Sequence, residues 1–130
     1  MIGIDTNILA RFLAQDDVEQ SRRSDSLLQT FSPQAPGFVS LVSLIELTWV
    51  MRSRYHVSRS ELIQSLERLL DSPELVIESQ RAVAEAIKRF SAAKTDFADC
   101  LIERSGHLAG CQHTATFDAN AAKTAGMKLL

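Results

Sequence analysis

The chain has 130 residues, of which 45% are hydrophobic and 23% are charged. These values are ordinary for a globular protein and exclude disordered, collagenous and low-complexity classes. The formal net charge of -2 at pH 7 argues against binding nucleic acid by bulk charge alone, although a local basic rim is compatible with it. We expect a single domain over residues 1–130, long enough to bury a hydrophobic core.

The start of the chain does not have the pattern of a secretory signal. It lacks a basic segment, and Asp5 interrupts the first apolar stretch at once. No uninterrupted apolar run approaches the roughly 18 to 20 residues that span a bilayer. The two cysteines, Cys100 and Cys111, suit a reducing compartment. The sequence therefore predicts a cytoplasmic protein without a membrane partner.

Short apolar segments alternate with helical patterns from one end of the chain to the other. In chain order we expect a strand at 1–4, helices at 6–14 and 16–31, a strand at 38–40, helices at 41–53 and 58–70, a strand at 75–77, helices at 79–90 and 96–110, a strand at 113–117, a short helix at 118–124 and a strand at 127–130. Because helices separate the strands, the connections are crossovers, and the sheet should be parallel.

Four carboxylates follow or interrupt strongly apolar segments, namely Asp5, Glu46, Asp99 and Asp118. Burying an isolated carboxylate is costly, so each of them needs a partner or a cation. The ends of parallel strands and the starts of the following helices share one edge of a sheet. All four groups can therefore converge there, where their mutual repulsion would call for a divalent metal ion.

Each carboxylate also has a purely structural interpretation. The helical neighbours of Glu46 are mostly apolar, so we expect its side chain to point inward. The structural alternatives to a site are a glutamate that snorkels to solvent or a buried ion pair with an arginine. Asp96, three residues before Asp99, is expected to cap a helix, and Asp5 and Asp118 can cap the helices that follow them. The coincidence of four such positions at one edge favours a functional site.

A carboxylate cluster without histidine or cysteine suits Mg²⁺ or Mn²⁺ rather than zinc. Three candidate zinc ligands, His107, Cys111 and His113, do not have the spacing of a usual zinc site. Water on a bound Mg²⁺ or Mn²⁺ supplies a nucleophile, and phosphate oxygens can replace other waters. The chemistry best served is phosphodiester hydrolysis.

Four segments together resemble the motifs of the PIN domain. They are Ile4-Asp5-Thr6-Asn7-Ile8-Leu9, Ser43-Leu44-Ile45-Glu46-Leu47, Asp96-Phe97-Ala98-Asp99-Cys100-Leu101-Ile102 and Thr114-Ala115-Thr116-Phe117-Asp118. In particular, the chain is similar to the VapC-type ribonuclease toxins of type II toxin–antitoxin systems. The resemblance covers essentially the whole chain, and the order and spacing of the four motifs carry it.

The resemblance implies a three-layer α/β fold with a five-stranded parallel sheet flanked by helices. It also implies an Mg²⁺- or Mn²⁺-dependent endoribonuclease that acts on RNA, pairs with a cognate antitoxin and forms a homodimer. Carried over by motif, the catalytic residues are Asp5, Glu46, Asp99 and Asp118, with Asp5 and Asp99 as the most direct metal ligands and Glu46 and Asp118 as further candidates. The supporting polar groups are Thr6, Asn7, Asp96 and Thr116.

RNA binding requires cations along the path of the phosphates. The candidates are Arg11, Arg52 and Arg54, joined by Arg22, Arg23 and Arg59. Tyr55 and His56 can stack on bases. A solvated surface is the alternative for each arginine, and part of the stretch 52–59 can instead contact an antitoxin.

Two other functions stay open at this point. One is another Mg²⁺-dependent α/β phosphohydrolase, such as an aspartyl-phosphate phosphatase, or a receiver domain. Such proteins need a downstream lysine at a strand end, and Lys94 and Lys123 lack that context. The other is a non-catalytic module that uses the same fold to bind RNA or protein, against which the four carboxylates argue.

Overall fold

The computed structural model describes all 130 residues as short parallel strands alternating with helices. The elements are β1 (Ile2–Gly3), α1 (Thr6–Ala14), α2 (Val18–Leu28), β2 (Gly37–Val39), α3 (Leu41–Ser53), α4 (Arg59–Leu70), β3 (Leu75–Ile77), α5 (Gln80–Ala92), α6 (Phe97–Leu108), β4 (Ala115–Thr116), α7 (Ala119–Thr124) and β5 (Lys128–Leu129). They fall into an N-terminal unit, Met1–Glu78, and a C-terminal unit, Ser79–Leu130.

The N-terminal unit is built on a three-stranded parallel sheet in the order β1-β2-β3. Two helices form each crossover, so that α1 and α2 connect β1 to β2, and α3 and α4 connect β2 to β3. The Ile4 amide donates to the Phe38 carbonyl at 2.8 Å. This bond extends the pairing of β1 with β2 up to the residue that precedes Asp5, so the position of Asp5 is tied to the edge of the sheet.

Helix α3 buries one face and exposes the opposite one. Leu44, Leu47 and Met51 are almost completely buried, whereas Val42 and Trp49 are 77% and 67% exposed. Ser40 caps the helix by accepting a hydrogen bond from the Ser43 amide at 3.1 Å. A helix that is apolar nearly all round is typical of a central position, but only one face of α3 packs into the core.

In the C-terminal unit, α5 packs against α6. The rings of Phe90 and Phe97 meet edge to face, with centroids 5.7 Å apart and planes at 73°, a favourable arrangement of the ring quadrupoles. Strands β4 and β5 form a separate two-stranded parallel sheet, in which Ala115 pairs with Lys128. The short helix α7 connects these two strands.

An ion-pair network fixes α6, which carries Asp99, against α5. Arg104 of α6 donates to Glu103 at 2.5 Å and 2.8 Å and to Glu85 of α5 at 3.1 Å. Hydrogen bonds from Arg104 lower the pKa of both carboxyl groups. Since Glu103 is only 9% exposed, its charge needs this partner, and removing Arg104 would leave a nearly buried carboxylate unpaired.

The α/β class and the parallel direction of the strands are confirmed, but the expectation of one five-stranded sheet is wrong. The strands form sheets of three and of two. Each strand has only two or three residues, so the alternation of side chains in the sequence carries little information on which strands pair. The single domain over residues 1–130 stays a prediction. None of the helices combines the length and the apolar content needed to cross a membrane.

Candidate active site

Two of the four predicted carboxylates line one cleft of about 160 Å³ in the N-terminal unit. Parallel pairing of β1 with β2 places the starts of α1 and α3 at the same edge of the sheet. The Thr6 hydroxyl donates to the Ser43 carbonyl at 3.4 Å and so connects the first turns of these helices. The polar side chains that line the cleft include Asp5, Asn7, Arg11, Glu46, Arg54 and Tyr55.

Asp5 caps α1 and also faces the cleft. Its Oδ1 accepts a hydrogen bond from the Thr6 amide at 2.8 Å, and its backbone is extended, as is usual for a cap. The cap uses one carboxylate oxygen, and Oδ2 takes no part in it. The capping interpretation and the site interpretation of Asp5 are therefore compatible.

Glu46 is exposed on α3, so the prediction that its side chain points inward is wrong. It lies on the side of the helix that carries the exposed Val42 and Trp49, opposite the face that packs into the core. Because α3 is apolar nearly all round, its sequence does not show which face is buried. The structure nevertheless places Glu46 in the cleft with Asp5, as the functional interpretation requires.

Arg11 is held in a defined position between the two helices of the first crossover. Its Nη1 donates to Asp16 Oδ2 at 2.7 Å and to the Tyr55 hydroxyl at 3.1 Å, and its Nε donates to Gln20 Oε1 at 2.7 Å. The hydrogen bond from Arg11 lowers the pKa of Asp16. A guanidinium fixed in this way loses little conformational freedom when it binds an anion.

Two of the three arginines first considered for RNA binding line the cleft, and the third does not. Arg11 and Arg54 line the cleft. Arg52 is directed to the loop after α3, where its Nη1 donates to the Val57 carbonyl at 3.1 Å. The carboxylate cleft therefore contains two cationic side chains beside its two acidic ones.

In the C-terminal unit, two further acidic residues act as helix caps. Asp96 accepts a hydrogen bond from the Asp99 amide at 3.2 Å at the start of α6. Asp118 Oδ1 accepts from the amides of Asn120 and Ala121 at 2.8 Å and 3.2 Å at the start of α7. The expected capping role of Asp96 is confirmed, and Asp118 also forms the helix cap that the sequence allows for it.

Thr116 has a supporting role for Asp118. Its hydroxyl oxygen accepts a hydrogen bond from the Asp118 amide at 3.0 Å, which fixes the backbone of Asp118 just beyond β4. The side chain of Asp118 keeps one oxygen, Oδ2, outside the helix cap.

Asp99 differs electrostatically from the caps around it. Burial raises its pKa, and the negative charges of Asp96 and Asp118 raise it further. All three causes act in the same direction, so the ionised form of Asp99 is disfavoured where it stands. A nearby cation would stabilise the ionised form of Asp99. None of the contributions to its pKa comes from a cationic side chain.

The donor chemistry fits a hard cation, although a complete ligand cage is absent. No three histidine, cysteine, aspartate or glutamate side chains form a group that could hold a metal ion. Mg²⁺, however, commonly uses one or two protein carboxylates and retains several waters. Asp5 and Glu46 belong to the N-terminal unit and Asp99 and Asp118 to the C-terminal unit, and the convergence of all four stays a prediction.

Two polar residues of this region, Asp16 and Gln20, have no role in the sequence-based prediction. Both contact Arg11 because the chain turns sharply at Gln15, which ends α1 in a left-handed conformation with φ 52°. The contacts cross a helix end, so helical periodicity does not indicate them. A non-glycine residue in this conformation is uncommon, and nothing in the sequence marks Gln15 for it.

Comparison with known families gives a match over nearly the whole chain. A family model described as the PIN domain matches residues 2–127, a range that includes all four predicted carboxylates. The comparison with curated proteins and the comparison with solved structures found no match.

We expect the substitution Asp99→Asn to raise the free energy of unfolding near pH 7 in the absence of divalent ions. Folding raises the pKa of Asp99, so its charged form is less favourable in the folded than in the unfolded protein, and asparagine removes that charge. Urea unfolding of both proteins as a function of pH measures the difference.

The gain in the free energy of unfolding from Asp99→Asn should increase with pH. Below the unfolded-state pKa of about 3.9, Asp99 is protonated in both states, and the electrostatic gain should vanish. It should grow as the pH rises through the elevated folded-state pKa. A gain of the same size at low and neutral pH, or a loss near pH 7, would contradict this electrostatic account.

Proposed function

The chain belongs to the PIN domain family, which is generally a nuclease fold, and we propose that it is a metal-dependent endoribonuclease that hydrolyses RNA phosphodiester bonds. The observation that carries the proposal is the cleft in which Asp5 and Glu46 stand beside Arg11 and Arg54. Carboxylates suit the metal, and guanidinium groups suit the phosphate. An apolar ligand pocket would not combine these two charges.

The proposed metal is Mg²⁺ or Mn²⁺. Asp5 and Asp99 are the proposed direct ligands, with Glu46 and Asp118 as further ligands or as groups that orient water. The raised pKa of Asp99 supports this assignment, because a bound cation would stabilise the carboxylate that its surroundings disfavour. When bound, such an ion supplies a Lewis acid for phosphate oxygens and lowers the pKa of its water.

The residues of the chain itself would bind and orient the substrate. Arg11, fixed by Asp16, Gln20 and Tyr55, can donate to a phosphate oxygen without first being ordered. Arg54 adds a second guanidinium to the same cleft. A carboxylate such as Glu46, exposed and directed to the cleft, can accept a proton from the attacking water.

The finer proposal is that the protein is a cytoplasmic ribonuclease toxin that binds a cognate antitoxin and forms a homodimer. It rests on the resemblance of the four motifs to VapC-type toxins. The exposed apolar surface of α3, where Val42 and Trp49 are 77% and 67% exposed, supports a protein partner, since large exposed apolar groups in proximity commonly mark interfaces.

The neighbouring gene tests the antitoxin proposal. We expect a small adjacent reading frame whose purified product binds this protein and inhibits its cleavage of RNA. Burial of the only tryptophan, Trp49, in the complex should shift its fluorescence emission to shorter wavelength. An adjacent product that neither binds nor inhibits would overturn the toxin assignment and leave the nuclease proposal standing.

The proposed catalytic set predicts loss of cleavage without loss of fold. Asp5→Asn, Glu46→Gln, Asp99→Asn and Asp118→Asn should each lower kcat for a single-stranded RNA in the presence of Mg²⁺ or Mn²⁺ by about 100-fold or more. Asparagine is as good an N-cap as aspartate, so the helix starts at Asp5 and Asp118 should survive. Thermal unfolding followed by circular dichroism verifies the fold of each variant.

Asp17→Asn is the matched control. Asp17 caps α2 by accepting a hydrogen bond from the Gln20 amide at 2.8 Å, yet it does not line the carboxylate cleft. Its asparagine variant should cleave RNA at the wild-type rate. Undiminished cleavage by both Asp5→Asn and Asp99→Asn would exclude the proposed catalytic set.

A further inference from the structure

A second cavity, of about 400 Å³, lies between α1 and α2, and it shares Asn7 and Arg11 with the carboxylate cleft. We propose that this cavity is a subsite for one nucleotide of the RNA strand, next to the phosphate that is cleaved. The inference rests on the proposed nuclease function. The volume lies in the range of small-ligand sites, roughly 300 to 1,000 Å³.

The charge of this nucleotide subsite suits an anion. Arg11 and Arg23 line it, and no carboxylate does. Arg11 is paired with Asp16 just outside the cavity, so the uncompensated positive charge is that of Arg23. Arg22, the neighbour of Arg23 on α2, is paired with Glu19 at 2.8 Å, whereas Arg23 has no such carboxylate partner and is exposed. Arg23 is therefore available to a phosphodiester, and in RNA binding such a contact is independent of base sequence.

The remaining lining suits a nucleobase. Ile8 and Leu27 are the only apolar residues of the cavity, and both are partly exposed, so they can cover the two faces of a planar base. Gln20 also lines the cavity. Because its Oε1 already accepts a hydrogen bond from Arg11, its amino group is the donor left for a base edge.

The hydroxyl of Ser24, which faces the cavity, adds an independent indication of a ligand. Ser24 lines the cavity and is only 2% exposed, and its hydroxyl forms no hydrogen bond with another group of the chain. No fully buried polar side-chain atom in the structure lacks a partner, so the Ser24 oxygen must open onto the cavity. A bound base or ribose would supply the missing hydrogen bond, which is otherwise left to water.

Arg11 connects the subsite to the carboxylate cleft. Its guanidinium is held from three sides, by Asp16, Gln20 and Tyr55, and it lines both cavities. A strand with one phosphate beside Asp5 can thus pass Arg11 and place its next base between Ile8 and Leu27. Since five of the seven lining residues are polar or charged, the cavity fits a nucleotide better than the apolar face of a partner helix.

The first test compares two neighbouring arginines in an Asp5→Asn background that prevents cleavage. Arg23→Ala should weaken the binding of a fluorescent single-stranded oligoribonucleotide about tenfold and reduce the salt dependence, the slope of log K against log [salt], by about 0.7. Arg22, one of the further arginines considered for RNA binding, is already paired with Glu19 and lies outside the cavity, which removes it from that set. Arg22→Ala should therefore change neither quantity. Equal effects of the two substitutions would overturn the subsite.

The second test locates a nucleotide without relying on cleavage. Methyl resonances of Ile8 and Leu27 should shift when adenosine or uridine 5′-monophosphate is added, while those of the buried Leu66 of α4 should not. Absence of such shifts in a protein that cleaves RNA would overturn the subsite and preserve the nuclease proposal. Shifts in a protein that cleaves no RNA would overturn the nuclease proposal, and with it the position of the subsite beside a cleaved phosphate. Shifts caused only by an antitoxin would assign the cavity to a protein partner and overturn the subsite.

Discussion

Backbone amides at helix N-termini hold the acidic side chains on which the proposed chemistry depends. Asp5, Asp96 and Asp118 cap α1, α6 and α7 through hydrogen bonds of 2.8 to 3.2 Å. A cap contributes about 1 kcal/mol, and the partial positive charge of a helix start stabilises a carboxylate by roughly 0.3 to 1 kcal/mol. The same contacts therefore stabilise the fold and place negative charges, so capping and catalysis are not competing explanations of these residues.

Helix capping does not neutralise the acidic side chains, and the two units differ in the charged groups that surround these side chains. In the N-terminal unit, Asp5 and Glu46 share their cleft with Arg11 and Arg54. In the C-terminal unit, Asp99 has a pKa raised by burial and by Asp96 and Asp118, with no opposing contribution from a cation. The cleft of the N-terminal unit combines carboxylates that suit a metal ion with guanidinium groups that suit a phosphate, and Asp99 of the C-terminal unit suits a metal ion. Metal-assisted phosphodiester hydrolysis uses both species.

Local signals in the sequence predict most of the elements. The capping pattern of Ser58 and Glu61 marks the start of α4, where Ser58 accepts a hydrogen bond from the Glu61 amide at 3.1 Å. The exposed side of α3 was not predictable, because Val42 and Trp49 are as apolar as the residues that the helix buries. The positions of Glu46 and Arg11 were likewise settled by packing between helices, which residue periodicity does not encode.

Motif spacing was more informative about the site than about the sheets. It identified Asp5 and Glu46, which are 41 residues apart in the sequence and line one cleft. It did not indicate that β4 and β5 form a sheet of their own, since strands of two residues carry almost no pattern. The nucleotide subsite was equally hidden, because it arises from the packing of α1 against α2 and not from a motif.

Titration with Mn²⁺, followed by the loss of the electron paramagnetic resonance signal of the free ion, tests the central claim most directly. Wild-type protein should bind Mn²⁺ saturably, and Mg²⁺ should compete with it. Asp99→Asn and Asp5→Asn should each weaken binding at least about tenfold, while Asp17→Asn should bind as the wild type does. Unchanged Mn²⁺ affinity in both Asp99→Asn and Asp5→Asn would contradict the account of the acidic residues as a metal centre.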